Sequence, residues 1–234
     1  MIERAKGNRG PQRGHRPKAA FLNRPAMKLP VIDASSALRA ALSPRDRRVL
    51  AEVVLALATG HPPKAAELAA RLRLPIHEVE DALHTLEDRG LIALEGDEIR
   101  VAYPFTAEHA PYNVVSSRGV AHACCAIDAL GAGAMLRETI EVQSRCARCG
   151  ARINLRGRQR FEGTPEGVVV FVPTSGVRDG RAIDVLCPSI NFYCSREHGA
   201  AHVGAWADRG RFLSLEEATR MAIKLFGDLL AGPV

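Results

Sequence analysis

The chemistry-bearing side chains of this 234-residue chain are its thiols, and all six cysteines fall between Cys124 and Cys194. The densest constellation is Cys124-Cys125-Ala126-Ile127-Asp128, where a strand-like run meets an apolar run with helical spacing at Ile127, Leu130 and Ala134. Cys125 is therefore expected at or near a helix N-terminus, where free N–H groups should lower a thiol's pKa and favour the thiolate. Asp128, three residues on, is expected on the same helical face, so a thiolate and a carboxyl group would share one pocket mouth. Thiolates select soft metal ions, and a carboxyl group beside them can carry a proton.

A second constellation competes for the same thiols. Cys146-Ala147-Arg148-Cys149-Gly150 has the CxxCG spacing of a zinc-ribbon turn. Together with Cys194 and either Cys187 or His198 it would make a structural zinc site, although the Cys187-to-Cys194 spacing is wider than usual for the second half. If zinc takes Cys146, Cys149, Cys194 and His198, the trio Cys125, Asp128 and Cys187 stays free for other chemistry.

The elements that must position these residues can be read from periodicity and punctuation. Ser43-Pro44 opens a helix with Val49, Leu50, Val53, Val54 and Leu57 on one face, and Gly60-His61-Pro62-Pro63 ends it. A second helix is expected from about Lys64 to Leu72, and a third from Pro75 to about Arg89 before Gly90. Leu91 to Leu94 and Glu98 to Val101 flank Glu95-Gly96-Asp97 as a hairpin. Three helices and a hairpin make a winged-helix-like arrangement over residues 36–103. Its third helix carries Glu78, Glu80, Asp81, Glu87 and Asp88, a poor surface for a phosphate-lined groove, so nucleic acid is not an expected partner.

Beyond residue 103 the texture changes to short apolar runs between turns, with strands expected at Val114-Val115, Val168 to Val172 and Ala182 to Leu186. Turns are expected at Gly163 to Gly167 and Arg178 to Gly180, and an amphipathic helix capped at Ser214 should run from Leu215 to Leu230. The fold class is then α+β: the helical unit, followed over residues 104–234 by an antiparallel or mixed sheet with flanking helices and the site between sheet and helix.

Composition narrows the class. At 47% hydrophobic and 25% charged residues the chain is globular, and no run approaches the roughly 18 apolar residues of a membrane span. Residues 1–30 hold eight basic side chains and one acidic, net +7, against +6 for the whole chain, so the remainder sums to −1 and the basic character belongs to the tail. That tail, residues 1–35, lacks the apolar content to order itself and has no signal-peptide core. A cytoplasmic location is expected, where cysteines serve as reactive or metal-binding thiols rather than disulfides.

On these residues a resemblance emerges. The run Cys125-Ala126-Ile127-Asp128-Ala129-Leu130 resembles the C-A-[LI]-D-x-L of organomercurial (alkylmercury) lyases, and Cys187-Pro188-Ser189-Ile190-Asn191-Phe192-Tyr193 resembles their second-cysteine segment. The likeness extends from about Ser43 to Phe226. It implies that Cys125 captures an organomercurial and passes its proton toward Asp128, that Cys187 adds as a second thiolate, and that Asp128 protonates the departing carbon and helps hold the product Hg²⁺. No organic cofactor is implied. The implied partners are the organomercurial, low-molecular-weight thiols and a mercuric reductase that receives the ion. Three features depart from the family pattern: Cys124 stands where an aromatic residue is usual, the CxxCG turn replaces a single cysteine, and Cys194 and His198 follow Cys187 at seven and eleven residues. They keep open a reading as a metal-binding or metal-responsive regulator on the same scaffold without lyase activity.

Overall fold

Ser43 and Pro44 act as their chemistry dictates: the Ser43 hydroxyl accepts the Asp46 N–H at 3.1 Å, and proline occupies the first helical position, where its missing N–H costs nothing. The computed structural model describes residues 42–175 and 180–230. The basic tail lies outside the described residues, as does most of the turn expected at Arg178 to Gly180. Helix α1 (Pro44–Leu57) buries Val49, Leu50, Val53, Val54 and Leu57 against α2 (Ala65–Leu72) and α3 (Ile76–Asp88), which contribute Leu68, Leu72, Val79, Leu83 and Leu86. The hairpin β1 (Ile92–Glu95) and β2 (Glu98–Ala102) follows, turning at Gly96, whose φ of +62° suits glycine.

The hairpin does not end at its own edge. Strand β3 (Phe105–Thr106) pairs with β2 through Ala102 and Phe105, and one eight-stranded sheet runs β1-β2-β3-β5-β4-β6-β7-β8. Its other members are β4 (Asn113–Ser116), β5 (Gly119–Ala123), β6 (Ile140–Arg145), β7 (Arg152–Gly157) and β8 (Phe161–Thr164). A second sheet, β10-β9-β11, is made of β9 (Val169–Pro173), β10 (Asn191–Tyr193) and β11 (Gly210–Ser214). Every pairing is antiparallel, so the α+β expectation holds and the sheet is of the antiparallel kind.

Helix α4 (Ala126–Leu136) is buried all round from Ala126 to Met135, its residues small or apolar except for Asp128. It packs on the C-terminal helix α7 (Leu215–Phe226) at Gly131, where a Cβ would lie 2.4 Å from the Phe226 ring. Only glycine allows that approach. Helix α7 opens with the expected Ser214 cap, reciprocated by Glu217, but stops at Phe226 rather than Leu230, because Gly227 and Asp228 are poor helix formers.

One expected element is corrected. Ala182 to Leu186 is not a strand: Ala182–Val185 forms the one-turn helix α5. The Arg181 carbonyl takes the Asp184 and Val185 N–H groups, Arg181 Nε pairs with Asp184 at 2.9 Å, and the Ile183 N–H donates to the Tyr103 hydroxyl at 2.8 Å. With its backbone groups satisfied locally, the segment has little left to offer a ladder. After it, Cys187–Ser189 forms a 3₁₀ turn leading into β10, and α6 (Arg196–Val203) follows.

Candidate active site

Cys125 occupies the N-cap of α4 with extended backbone, and Asp128 lies in the first turn. Cys187 opens the 3₁₀ turn opposite. The fold thus brings the three residues singled out by sequence into one place: their sulfur and carboxylate atoms all lie within 4.8 Å of one another, with Cys187 Sγ 3.8 Å from Asp128 Oδ2. Two metal–sulfur bonds of about 2.3 Å, the zinc value, already reach about 4.6 Å, so one ion of mercury's larger radius can bridge the two sulfurs.

Backbone and side-chain ties fix this arrangement. The Ala126 N–H, first in α4, donates to the Ile190 carbonyl at 3.2 Å, joining the helix N-terminus to the Cys187 segment. The Tyr112 hydroxyl donates to Asn191 Oδ1 at 2.7 Å and sits 3.2 Å from the same Ile190 carbonyl. Asn191 in turn donates to the Pro188 carbonyl at 3.0 Å, bracing the turn that carries Cys187. Tyr103, through its contact with Ile183, closes the other side. Burial, together with the neighbouring Cys187, Cys124 and Asp128, drives the Tyr103 hydroxyl pKa upward. Neither tyrosine carries a motif. Both act through hydrogen bonds to residues about 80 positions away, which no local spacing announces.

The site is dry. Cys125, Asp128 and Cys187 are 2%, 5% and 4% exposed. Burial pushes the Cys125 thiol well above its usual range, reinforced by Cys187 and Asp128. This corrects the expectation of a thiolate stabilised by the helix N-terminus, because removing a charge from water outweighs the partial charge of the helix end. The hydrogen-bonded Cys125 draws the Cys187 thiol down, but burial and Asp128 outweigh it and leave Cys187 at about 11. Burial raises Asp128 from 3.8 to about 7, against the opposing pull of the Cys125 and Cys187 thiols. The resting site therefore holds two thiols and a carboxyl group that ionises near neutrality. Cys124 is also buried, and burial beside Asp128 and Cys125 holds its thiol up too.

The other sequence candidates gather elsewhere. Cys146, Cys149, Cys194 and His198 form a separate group, again within 4.8 Å of one another, and Cys187 is not among them. Two surface clefts flank these features. One of about 200 Å³ is lined by Phe171, Pro188, Ser189, Asn191 and Tyr193 and so touches the Cys187 turn. The other, of about 510 Å³, lies over β6 and β7. Neither is lined by Cys125, Asp128 or Cys187. Among the described residues no helix is long and apolar enough to cross a membrane.

Comparison with known proteins agrees with the geometry. A solved structure titled "Crystal structure of the mercury-bound form of MerB2" matches with a TM-score of 0.71 at 19% identity, covering 86% of this chain and 98% of that one. At that identity the likeness speaks for the fold. No curated protein matches in sequence. The family model described as alkylmercury lyase, however, matches residues 105–227, more than half of the chain and the whole stretch that contains Cys125, Asp128 and Cys187. The chain belongs to the alkylmercury lyase family.

Proposed function

We propose that this enzyme splits the carbon–mercury bond of organomercurials by protonolysis, with Cys125 and Cys187 binding mercury and Asp128 carrying the proton. The observation that carries this reading is the placement of two thiols and one carboxyl group within 4.8 Å in a site almost closed to water. A soft ion such as mercury(II) prefers thiolate ligands, while a proton destined for carbon must come from an acid held against the same ion.

The sequence of events follows from where the protons sit. An organomercurial arrives as its thiol adduct, R–Hg–SR′. Cys125 sulfur bonds to mercury and its proton leaves with the displaced R′SH. Cys187 then adds its sulfur to the same mercury, and its proton passes across the 3.8 Å gap to Asp128 Oδ2. That route differs from the sequence expectation, in which the Cys125 proton reached Asp128. Two sulfurs donating to mercury load electron density onto the Hg–C bond. Asp128 delivers the proton to carbon, the Hg–C electron pair becomes the new C–H bond, and the hydrocarbon departs. Mercury(II) remains between two thiolates until external thiols remove it, for onward transfer to a mercuric reductase in the thiol-rich cytoplasm. No step calls for an organic cofactor. The three-helix and hairpin unit from Pro44 to Ala102 serves as scaffold.

The test is release of benzene from phenylmercury in excess thiol. Wild type is expected to turn over, and Cys125→Ala, Cys187→Ala and Asp128→Ala each to lose turnover. Mercury binding without hydrocarbon release by the wild type would overturn the reading and mark a binding or regulatory protein.

A further inference from the structure

The CxxCG turn connects β6 to β7. Its geometry is set by the Cys146 N–H donating to Ala151 O at 2.8 Å, the Gly150 N–H donating to Cys146 O at 2.9 Å, and Gly150 itself at φ +73°. The Ala147 N–H reaches across to the Phe192 carbonyl of β10 at 3.1 Å. Cys194 follows β10 directly. His198 stands in the first turn of α6, held there by its N–H on the capping Ser195 hydroxyl at 3.3 Å. Four donor atoms from two segments about 50 residues apart thus converge on one point, outside the Cys125 site.

The separations match a tetrahedral ion. Metal–sulfur bonds of about 2.3 Å and metal–nitrogen bonds of about 2.0 Å imply edges of about 3.8 Å between sulfurs and about 3.5 Å between sulfur and nitrogen. Here Cys149 Sγ and Cys194 Sγ are 3.7 Å apart, and His198 Nδ1 lies 3.9 Å from Cys146 Sγ and 3.0 Å from Cys194 Sγ. All four are protein donors, leaving no open position, which is the mark of a structural rather than a catalytic metal.

We propose that Cys146, Cys149, Cys194 and His198 hold one structural zinc(II) ion that staples the eight-stranded sheet to the three-stranded one. Cys146 and Cys149 belong to the β6–β7 turn of the first sheet, and Cys194 to the end of β10 in the second. The staple fixes one end of β10. The other end continues into Asn191, Ile190 and the turn that carries Cys187, so the metal positions the Cys187 segment without taking part in the reaction.

The experiment is metal analysis of the full chain purified without added metal or chelator, with cobalt(II) exchange as a second readout. About one zinc per chain is expected, and replacement by cobalt should give the intense visible absorption of a tetrahedral thiolate site. Cys149→Ser and Cys194→Ser should each lose the zinc, while Cys125→Ser and Cys187→Ser should retain it in full. That contrast separates this site from the lyase site whether or not the enzyme turns over. Wild-type protein without zinc, or with Cys149 and Cys194 joined as a disulfide by mass, would overturn the proposal. So would zinc lost from Cys125→Ser and Cys187→Ser but kept in Cys149→Ser. If the serine variants do not fold, the wild-type zinc content and cobalt spectrum decide alone.

Discussion

Replacing Asp128 by asparagine should abolish turnover and yet stabilise the fold above neutral pH. Asp128 is raised from 3.8 to about 7 by burial, so the native state binds its proton more tightly than the unfolded chain does. A group raised in this way contributes its stability fully below pH 3.8 and loses it as pH climbs through the folded value. Integrated, the loss is about 1.7 kcal/mol by pH 5 and about 4 kcal/mol by pH 8, at about 1.4 kcal/mol per unit. Asparagine has the same shape, no charge to bury and nothing to titrate. Relative to wild type, Asp128→Asn should therefore gain about 2.5 kcal/mol between pH 5 and pH 8. Urea unfolding of both proteins at the two pH values, with thiols kept reduced, measures that difference, and other titrating groups cancel in the comparison. A wild-type-minus-variant difference that is flat with pH, or that slopes the other way, would refute the claim that a dry site holds the Asp128 proton.

Two further outcomes test what surrounds the site. Gly131→Ala places a methyl group 2.4 Å from the Phe226 ring, so thermal or urea unfolding should show a loss of about 1–3 kcal/mol, partly recovered when Phe226→Leu is added. Tyr112→Phe removes the donor to Asn191 while keeping the ring, and should cost about 1 kcal/mol in unfolding and reduce turnover by loosening the Cys187 turn, with mercury binding to Cys125 retained.

How far the sequence could be read follows from how local each signal is. The three N-terminal helices were legible because caps, breakers and 3.6-residue periodicity act within one element. The CxxD pair was legible because an N-cap and its third residue share a turn by construction. Cys187 could be nominated only through its family likeness, since its distance from Asp128 depends on two sheets and a 3₁₀ turn. Ala182 to Leu186 misled because an apolar run signals burial in a strand or a short helix alike, and the choice fell to Arg181, Asp184 and Tyr103 outside or at the edge of that run. That β9, β10 and β11 form their own sheet left no trace in their patterning at all.

The reversed sign at Cys125 shows which force governs this site. A helix N-terminus is worth about 0.3–1 kcal/mol to an anion at an exposed position, less than one pKa unit, whereas full burial can shift a pKa by about 3–5 units. Reading the motif alone favours the thiolate; adding the 2% exposure of Cys125 favours the thiol. For a hydrolytic cysteine enzyme that would be a handicap, because the attacking group must already be charged. Here it serves the reaction. The same burial leaves Cys187 a thiol at about 11, so in the proposed reaction it gives up its proton only when mercury arrives, and Asp128, poised near neutrality 3.8 Å away, is placed to receive that proton and hand it to carbon. A pre-formed thiolate would bind mercury equally well but would have no proton left to give.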